Sequence, residues 1–408
     1  MVLVSLRRRH GALHVIATSK KILFLLLSIL TASSAHAANF TFTQSDASRE
    51  LSQQTVRGIF EDSAGFLWLL TQEGLNRYDG NEVIRFRASN RIAGDLSHQS
   101  ITAMAESPDG DLWIATAGGG LNELDTSTYR FRALTANDDV PGSMRPLSNA
   151  IMSLHKDSQD NLWIGYGEGA GISQFNFATS EFHHIPKSFL NPSAVVRSIT
   201  QAPGGRVWFA VENEGLFFTD TSGSVMKEIP LYADGPGRDK VTDVVDVEID
   251  AKGILWLSTL SHGVIRFDPA SQDYRFITSD ILGATTQPLE TYVTEIDKEG
   301  RVWIGASNGL YILTYKEQKI ERLSTDNSGL PDDQIFSIFH SDQGLIWVGT
   351  YSGLAKGTPS IFVTASSREG LPSDSTNAFA QTSDGMIWIA TDGGIAYMPS
   401  LTSASAGP

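Results

Sequence analysis

From about residue 40 to residue 398 the chain is a succession of short apolar runs separated by small clusters of Gly, Asp, Asn and Ser. The first unit shows the arrangement. Ile59-Phe60-Glu61, Leu67-Trp68-Leu69-Leu70-Thr71, Leu75-Asn76-Arg77-Tyr78 and Val83-Ile84-Arg85-Phe86 are divided by Asp62-Ser63-Ala64-Gly65, by Gly74 and by Asp79-Gly80. Four short strands joined by tight turns are predicted from such a text. The unit recurs, and the tryptophans mark it. All eight (Trp68, Trp113, Trp163, Trp208, Trp256, Trp303, Trp347 and Trp388) occupy the same place in the phrase, at spacings of 45, 50, 45, 48, 47, 44 and 41 residues.

Two further positions fix the turns. Three residues before each Trp stands Gly65, Gly110, Gly205, Gly253, Gly300, Gly344 or Gly385, with Asp160 in the third unit. A short hairpin loop needs a positive φ there, which Gly adopts freely and Asp tolerates better than most residues. A Gly-apolar pair soon after the Trp (Gly74-Leu75, Gly120-Leu121, Gly171-Ile172, Gly215-Leu216, Gly263-Val264, Gly309-Leu310, Gly353-Leu354, Gly394-Ile395) begins a third strand in every unit. Tyr129-Arg130-Phe131, Glu181-Phe182 and Tyr274-Arg275-Phe276 supply fourth strands. Four antiparallel strands per 40 to 50 residues describe a propeller blade, so the fold class is all-β, a β-propeller.

The tryptophans are expected to be packing wedges in the blade core, since a large aromatic at one fixed position buries about 150 to 250 Å². The eighth repeat has text for three strands only, while Phe40-Thr41-Phe42-Thr43 ahead of the first repeat has fourth-strand character. The expected architecture is a seven-bladed ring plus one extra repeat. The alternative is a single eight-bladed ring completed by the N-terminal strand, which leaves no open edge.

Before the repeats, Lys20-Lys21, the apolar run Ile22 to Leu30 and Ala35-His36-Ala37 fit the basic, hydrophobic and cleavage parts of a secretory signal. The expected division is a signal peptide at 1–37 cleaved after Ala37, a propeller over 38–366, an eighth repeat at 367–398 that starts a second propeller, and a polar tail at 399–408. Nine strongly apolar residues are too few for a bilayer span, and no second apolar stretch follows, so no membrane span is expected in the mature chain. The absence of cysteine excludes disulfides, thiolate metal sites and thiol nucleophiles. The net charge of -15 includes a leader that carries five basic residues and no acid, so the exported part is more acidic still. Nucleic acid is therefore not an expected partner.

Glu61-Asp62-Ser63-Ala64-Gly65-Phe66-Leu67-Trp68 with Gly74-Leu75-Asn76-Arg77-Tyr78-Asp79-Gly80, Asp111-Leu112-Trp113-Ile114-Ala115-Thr116 with Gly118-Gly119-Gly120-Leu121-Asn122, and Gly329-Leu330-Pro331 resemble the two-component regulator propeller family, over roughly residues 38 to 398. The resemblance implies a periplasmic sensory module, because members usually precede a membrane helix and a cytoplasmic histidine kinase or diguanylate cyclase. No kinase or cyclase motif follows Met398, so the chain is expected to be a truncated sensory part without its own output.

Candidate ligand contacts lie in the blade-to-blade loops and in the loops between second and third strands, which share one face of a propeller. Arg91, His98, Arg145, Arg238 and Lys240 are candidate anion contacts, and Tyr166, Glu168, Glu214, His262, Asn308 and Tyr351 are candidate rim groups. They suit a small-molecule or oligosaccharide ligand, or a periplasmic protein. No cofactor, metal site or catalytic residue is expected, since no His-Glu-x-x-His, Gly-x-Ser-x-Gly or phosphate-loop motif occurs. A free-standing interaction propeller, or a propeller lyase or glycoside hydrolase with groups from distant loops, are the alternative functions.

Overall fold

The computed structural model describes residues 40–89, 94–185, 190–219, 226–233, 239–278, 282, 289–314, 319–341, 344–359, 367, 371–383 and 386–398. The expected signal peptide and polar tail, Arg91 and Arg238 lie outside them. Phe40–Thr358 form one compact unit, and Pro359–Pro408 belong to a second.

The first unit holds seven four-stranded antiparallel sheets. Blades 1 to 6 occupy residues 58–86, 101–134, 151–185, 195–229, 244–277 and 291–323, each with its strands in chain order. The first strands (Gly58–Glu61, Ile101–Glu106, Ile151–Lys156, Val195–Gln201, Val244–Ile249, Thr291–Ile296, Ile335–His340) touch one another in succession, and the last returns to the first. They therefore surround a central channel. Blade 7 takes Ile335–His340, Ile346–Thr350 and Gly353–Pro359 from the end of the ring and Phe40–Gln44 from its beginning. The Phe42 N–H donates to Ser328 O (2.8 Å), and the Ser45 N–H donates to Leu354 O (2.8 Å). Phe40 and Phe42 are buried, and the Phe40 ring meets Trp303 edge-on at 4.8 Å.

The N-terminal strand thus completes the seventh blade, and the eight-bladed alternative does not occur. The eighth repeat, in the second unit, is a three-stranded sheet of Thr376–Gln381, Ile387–Thr391 and Gly394–Met398. Phe379, Trp388, Ile395 and Tyr397 are exposed in it.

Each of the other seven tryptophans is buried on the second strand of its blade. Trp68 packs with Ile101, Leu112 and Ile114 of blade 2, Trp208 with Val247, Leu255 and Phe267 of blade 5, and Trp347 with Leu67 and Leu69 of blade 1. Each ring contributes about 4 to 6 kcal/mol of transfer free energy at the usual area coefficient, before chain-ordering costs. The indole N–H is anchored in the same phrase. Six residues earlier, Asp62, Asp157 and Asp297 accept from Trp68, Trp163 and Trp303 Nε1 at 2.7, 2.8 and 2.7 Å. The same carboxylates accept backbone N–H groups of the hairpin turn, from Phe66, Asn161 and Arg301.

The turn position three before the Trp has φ between 76° and 89° at its described glycines, and 57° at Asp160. The threonine three after the Trp has an equally local reason. Thr71, Thr116, Thr259, Thr350 and Thr391 each donate a hydroxyl to the carbonyl of the glycine that opens the third strand, at 2.7 to 3.0 Å.

Candidate functional site

The first strands carry a shared irregularity. Pairing with the second strand skips from Ile101 to Ala103, from Ile151 to Ser153, from Val196 to Ser198, from Val244 to Asp246, from Thr291 to Val293 and from Ile335 to Ser337. One extra residue per strand is a β-bulge, which bends the strand and re-aims a side chain. The extra residues are Thr102, Met152, Arg197, Val245, Tyr292 and Phe336. In blade 1 the matching residue is Arg57, just ahead of Gly58–Glu61, whose N–H donates to Leu70 O at 2.9 Å. All seven line one cavity of 510 Å³ at one end of the central channel. Its volume falls within the range of small-ligand pockets.

The loops between second and third strands complete the lining with Gln72, Ala117, Glu212 and Leu260. These residues stand four after their tryptophans. Their loops are tied to the entry of the first strand by repeated backbone bonds, Ala117 N–H to Ser100 O (3.0 Å) and Leu260 N–H to Asp243 O (3.2 Å) among them.

The chemistry is unevenly distributed round the mouth. Tyr292 and Phe336, from adjacent blades, have ring centroids 5.3 Å apart with planes 31° from parallel. The Arg57 guanidinium lies over the Phe336 ring, 5.0 Å from its centre. With the Gln72 amide oxygen turned towards it, Arg57 also donates through Nε (3.1 Å) and Nη2 (3.3 Å). Across the mouth Arg197 Nε donates to Glu212 Oε2 at 2.5 Å. Partial burial lowers the Arg57 pKa below the ordinary arginine value, and the charge of Arg197 adds to the effect. Burial raises the Tyr292 phenol, which donates to Glu290 Oε2 at 2.6 Å and so stays protonated.

Further along the channel wall stand three acids. Burial pushes Asp246 up to about 6, although it accepts the Thr294 N–H at 2.7 Å. Burial also pushes Glu248 up to about 8, with the charges of Glu295 and Asp246 as further causes. Among the described residues no set of three or more His, Asp or Glu groups is arranged to hold a metal ion.

The candidates from the sequence take other positions. None of the described ones lines this cavity. His98 accepts the Ser100 N–H through Nδ1 (3.2 Å), and Arg145 Nη1 donates to Ala136 O and Asp138 O (2.9 and 3.2 Å), so both stitch their own loops. Tyr166 is a core residue, fully buried at the end of its strand, and not a rim group. Glu168 is an exposed turn residue at φ 56°. Glu214 accepts the Asn191 N–H (2.8 Å), and Lys240 pairs with Glu228 at 2.9 Å and Glu214 at 3.9 Å. His262 Nδ1 lies 3.1 Å from Asp243 Oδ1, and Asn308 Oδ1 accepts the Tyr311 hydroxyl (2.9 Å). Tyr351 is exposed, at the ring position equivalent to Gln72. Sequence reasoning looked to loop length and missed the bulge. A signal was available, because this residue stands eleven positions before the Trp in every repeat and changes chemistry from blade to blade, while its neighbours, Asp246 apart, stay apolar or small.

Fold and mouth define a seven-bladed β-propeller with a chemically diverse, open channel end. Within that class, residues 95–118, 329–352 and 370–393 match the model of the two-component regulator propeller. Over 212 residues, half of this chain, it is 27% identical to histidine kinase P4 of Formosa agariphila, of which the match covers 15%. The extracellular domain of a putative hybrid two-component system from B. thetaiotaomicron is similar in structure, with a TM-score of 0.71 and 24% identity over 88% of this chain and 48% of that one. The chain therefore spans about half the length of that domain and a small part of the kinase. A streptogramin B lyase shares the fold at a TM-score of 0.59 and 14% identity, covering 79% of this chain and 98% of the lyase. Among the described residues no helix is long and apolar enough to cross a membrane.

Proposed function

We propose that the chain is the ligand-recognising propeller of a signal-transduction protein, working outside the cytoplasm without catalysis of its own, and that its ligand sits in the channel mouth. The observation that carries the reading is the convergence on a single cavity of seven equivalent residues, one from each blade, six of them bulged. A bulge repeated in six of the seven blades is a scaffold feature, whereas the side chain it presents is free to differ. Arg, Thr, Met, Arg, Val, Tyr and Phe round one mouth supply cationic, polar and aromatic contacts on a rigid frame, as recognition sites require. The kinship with a histidine kinase and the likeness to an extracellular sensor domain support the signalling role and the location. Occupancy changes signalling only through the ligand's different affinity for two states of the receptor.

The test is a thermal-shift screen of the full chain against oligosaccharides and small metabolites, repeated on Val245→Trp, which fills the mouth. Ligands that raise Tm in the native chain and lose the effect in Val245→Trp support the reading, since binding at 100 times Kd contributes about 2.7 kcal/mol. Ligands that shift both proteins equally place the site elsewhere. A protein that co-purifies stoichiometrically, with no small-molecule response, favours the interaction platform.

A further inference from the structure

We propose that the channel mouth selects an acidic saccharide, a sugar chain bearing a uronate carboxylate, which Arg57 and Arg197 hold by its charge while the Tyr292–Phe336 pair takes an apolar sugar face. The inference rests on the mouth being the ligand site and adds the chemical class that it takes.

Charge argues first. The chain is strongly acidic, with 46 Asp and Glu against 31 Lys and Arg, yet the mouth reverses that sign. Two of the seven equivalent positions are arginines, and one carboxylate, Glu212, is bound to Arg197. Among the described residues Arg57 has no carboxylate within ion-pair distance. Its partners are the Gln72 amide oxygen and the Phe336 ring. Asp246, next along the blade 5 strand, is committed to the Thr294 N–H between blades. The Tyr292 phenol is neutral. Glu290, which accepts from that phenol at 2.6 Å, stands behind it and outside the lining, so the lining itself has two arginines against one carboxylate, and Arg57 is the one that faces no acid.

Shape and polarity choose among anions. A guanidinium presents a planar fork, and a carboxylate accepts two parallel N–H bonds from it, which a point charge does not provide. Arg57 is already oriented, over Phe336 with Gln72 on its Nε–Nη2 edge, which leaves the Nη1–Nη2 edge to a ligand, so less side-chain freedom is lost on binding. Next to that fork lies the Tyr292–Phe336 arc, from blades 6 and 7 adjoining blade 1. Aromatic surface beside a cation fits a molecule with a C–H face and a carboxylate on the same ring. The rest of the mouth adds hydroxyl and amide groups from Ser100, Thr102 and Gln72, and it is open to solvent. A benzoate-like ligand needs a closed apolar slot instead, and a neutral sugar leaves the Arg57 charge unmatched.

The experiment is calorimetric titration of the full chain with tri-galacturonate, its methyl ester, maltotriose and benzoate at 0.15 M salt. Native protein is expected to bind tri-galacturonate at least about tenfold more tightly than the other three, from the usual strength of a charged hydrogen bond. Arg57→Gln should remove that preference. Arg57→Lys should restore only part of it, because charge returns without the fork. Affinity for tri-galacturonate should also fall as salt rises, with maltotriose unaffected. Arg57 is partly exposed, so both variants are expected to fold, which circular dichroism checks. Equal binding of tri-galacturonate and maltotriose, both lost in Val245→Trp, overturns the acidic class and leaves the mouth as the ligand site. Benzoate binding as tight as tri-galacturonate overturns the saccharide. Failure of tri-galacturonate to bind while an unrelated ligand is blocked by Val245→Trp also overturns the class alone. If no ligand is blocked by that substitution, the mouth falls as well.

Discussion

Glu248 stands on the channel wall in blade 5, and its chemistry differs from that of a surface carboxylate. Burial, with Glu295 and Asp246 nearby, raises it from 4.5 to about 8. A raised pKa means that the folded chain holds a proton the unfolded chain has already released. Stability from this group is therefore complete below pH 4.5 and falls as pH rises through 8. Glu248→Gln keeps the shape and removes the charge. At pH 8.5 it is expected to gain about 1 to 3 kcal/mol, a few degrees in Tm, and at pH 5 to match the native chain. Denaturation at the two pH values checks this, and an equal change at both removes the linkage. The acid of the mouth stands in a different setting, since Glu212 faces Arg197, with Nε to Oε2 at 2.5 Å. Neither environment was legible in the sequence, where all 46 acidic residues look alike. What separates them is the identity of the residue facing each one from another blade, roughly 45 positions away.

At the scale of elements the sequence was far more informative, because the hairpin turns and blade cores are built from residues close together in the chain. Gly300 occupies the turn three before Trp303 at φ 76°, and nothing lies within 4 Å of a side-chain carbon built there. Any cost of Gly300→Ala is therefore backbone strain, about 1 to 2 kcal/mol for an L-residue in the left-handed region. Gly300→Asn should cost less, following the precedent of Asp160 at φ 57° in the third repeat. Chemical denaturation of both variants measures the difference, and an alanine as stable as glycine removes the conformational argument. In the eighth repeat the three stretches readable as strands, Asn377 to Thr382, Met386 to Thr391 and Ile395 to Met398, lie within one residue of Thr376–Gln381, Ile387–Thr391 and Gly394–Met398. The bulge escaped because it breaks the two-residue alternation on which a strand is recognised. Arg57 and Tyr292 are half-exposed polar or aromatic residues at the margin of a strand, and by composition alone they resemble any turn residue. Their fixed distance from the tryptophans is what distinguishes them.

Ring closure belongs to the whole molecule and depends on contacts across the full length of the chain. Phe40-Thr41-Phe42-Thr43 was readable as a fourth strand, but which blade receives it was not, because pairing across some 300 residues leaves no local mark. The structure places it on Gly353–Pro359, with Phe42 against Gly357, where an added side-chain carbon would stand 2.5 Å from the Phe42 ring. Blade 7 is thus made from both ends of the ring, and blades 1 and 7 meet through Trp347 packed on Leu67 and Leu69. Phe42→Ala should cost about 3 to 5 kcal/mol, as deletion of a buried phenyl ring generally does. Phe131→Ala, on the fourth strand of blade 2, removes a ring of equal size from a blade formed wholly by neighbouring sequence. The two variants should lose similar stability and differ in where the chain opens. Native-state hydrogen exchange of Phe42→Ala should accelerate together across Ile335–His340, Gly353–Pro359 and Gly58–Glu61, because loss of the closing strand frees both ends of the ring. In Phe131→Ala the acceleration should stay within residues 101–134. If Phe42→Ala exchanges faster only at Gly353–Pro359, the strand is local cladding and the ring is held by the packing of blade 1 on blade 7 alone. The mouth depends on the answer, since Arg57 and Phe336 come from the two blades that this closure joins.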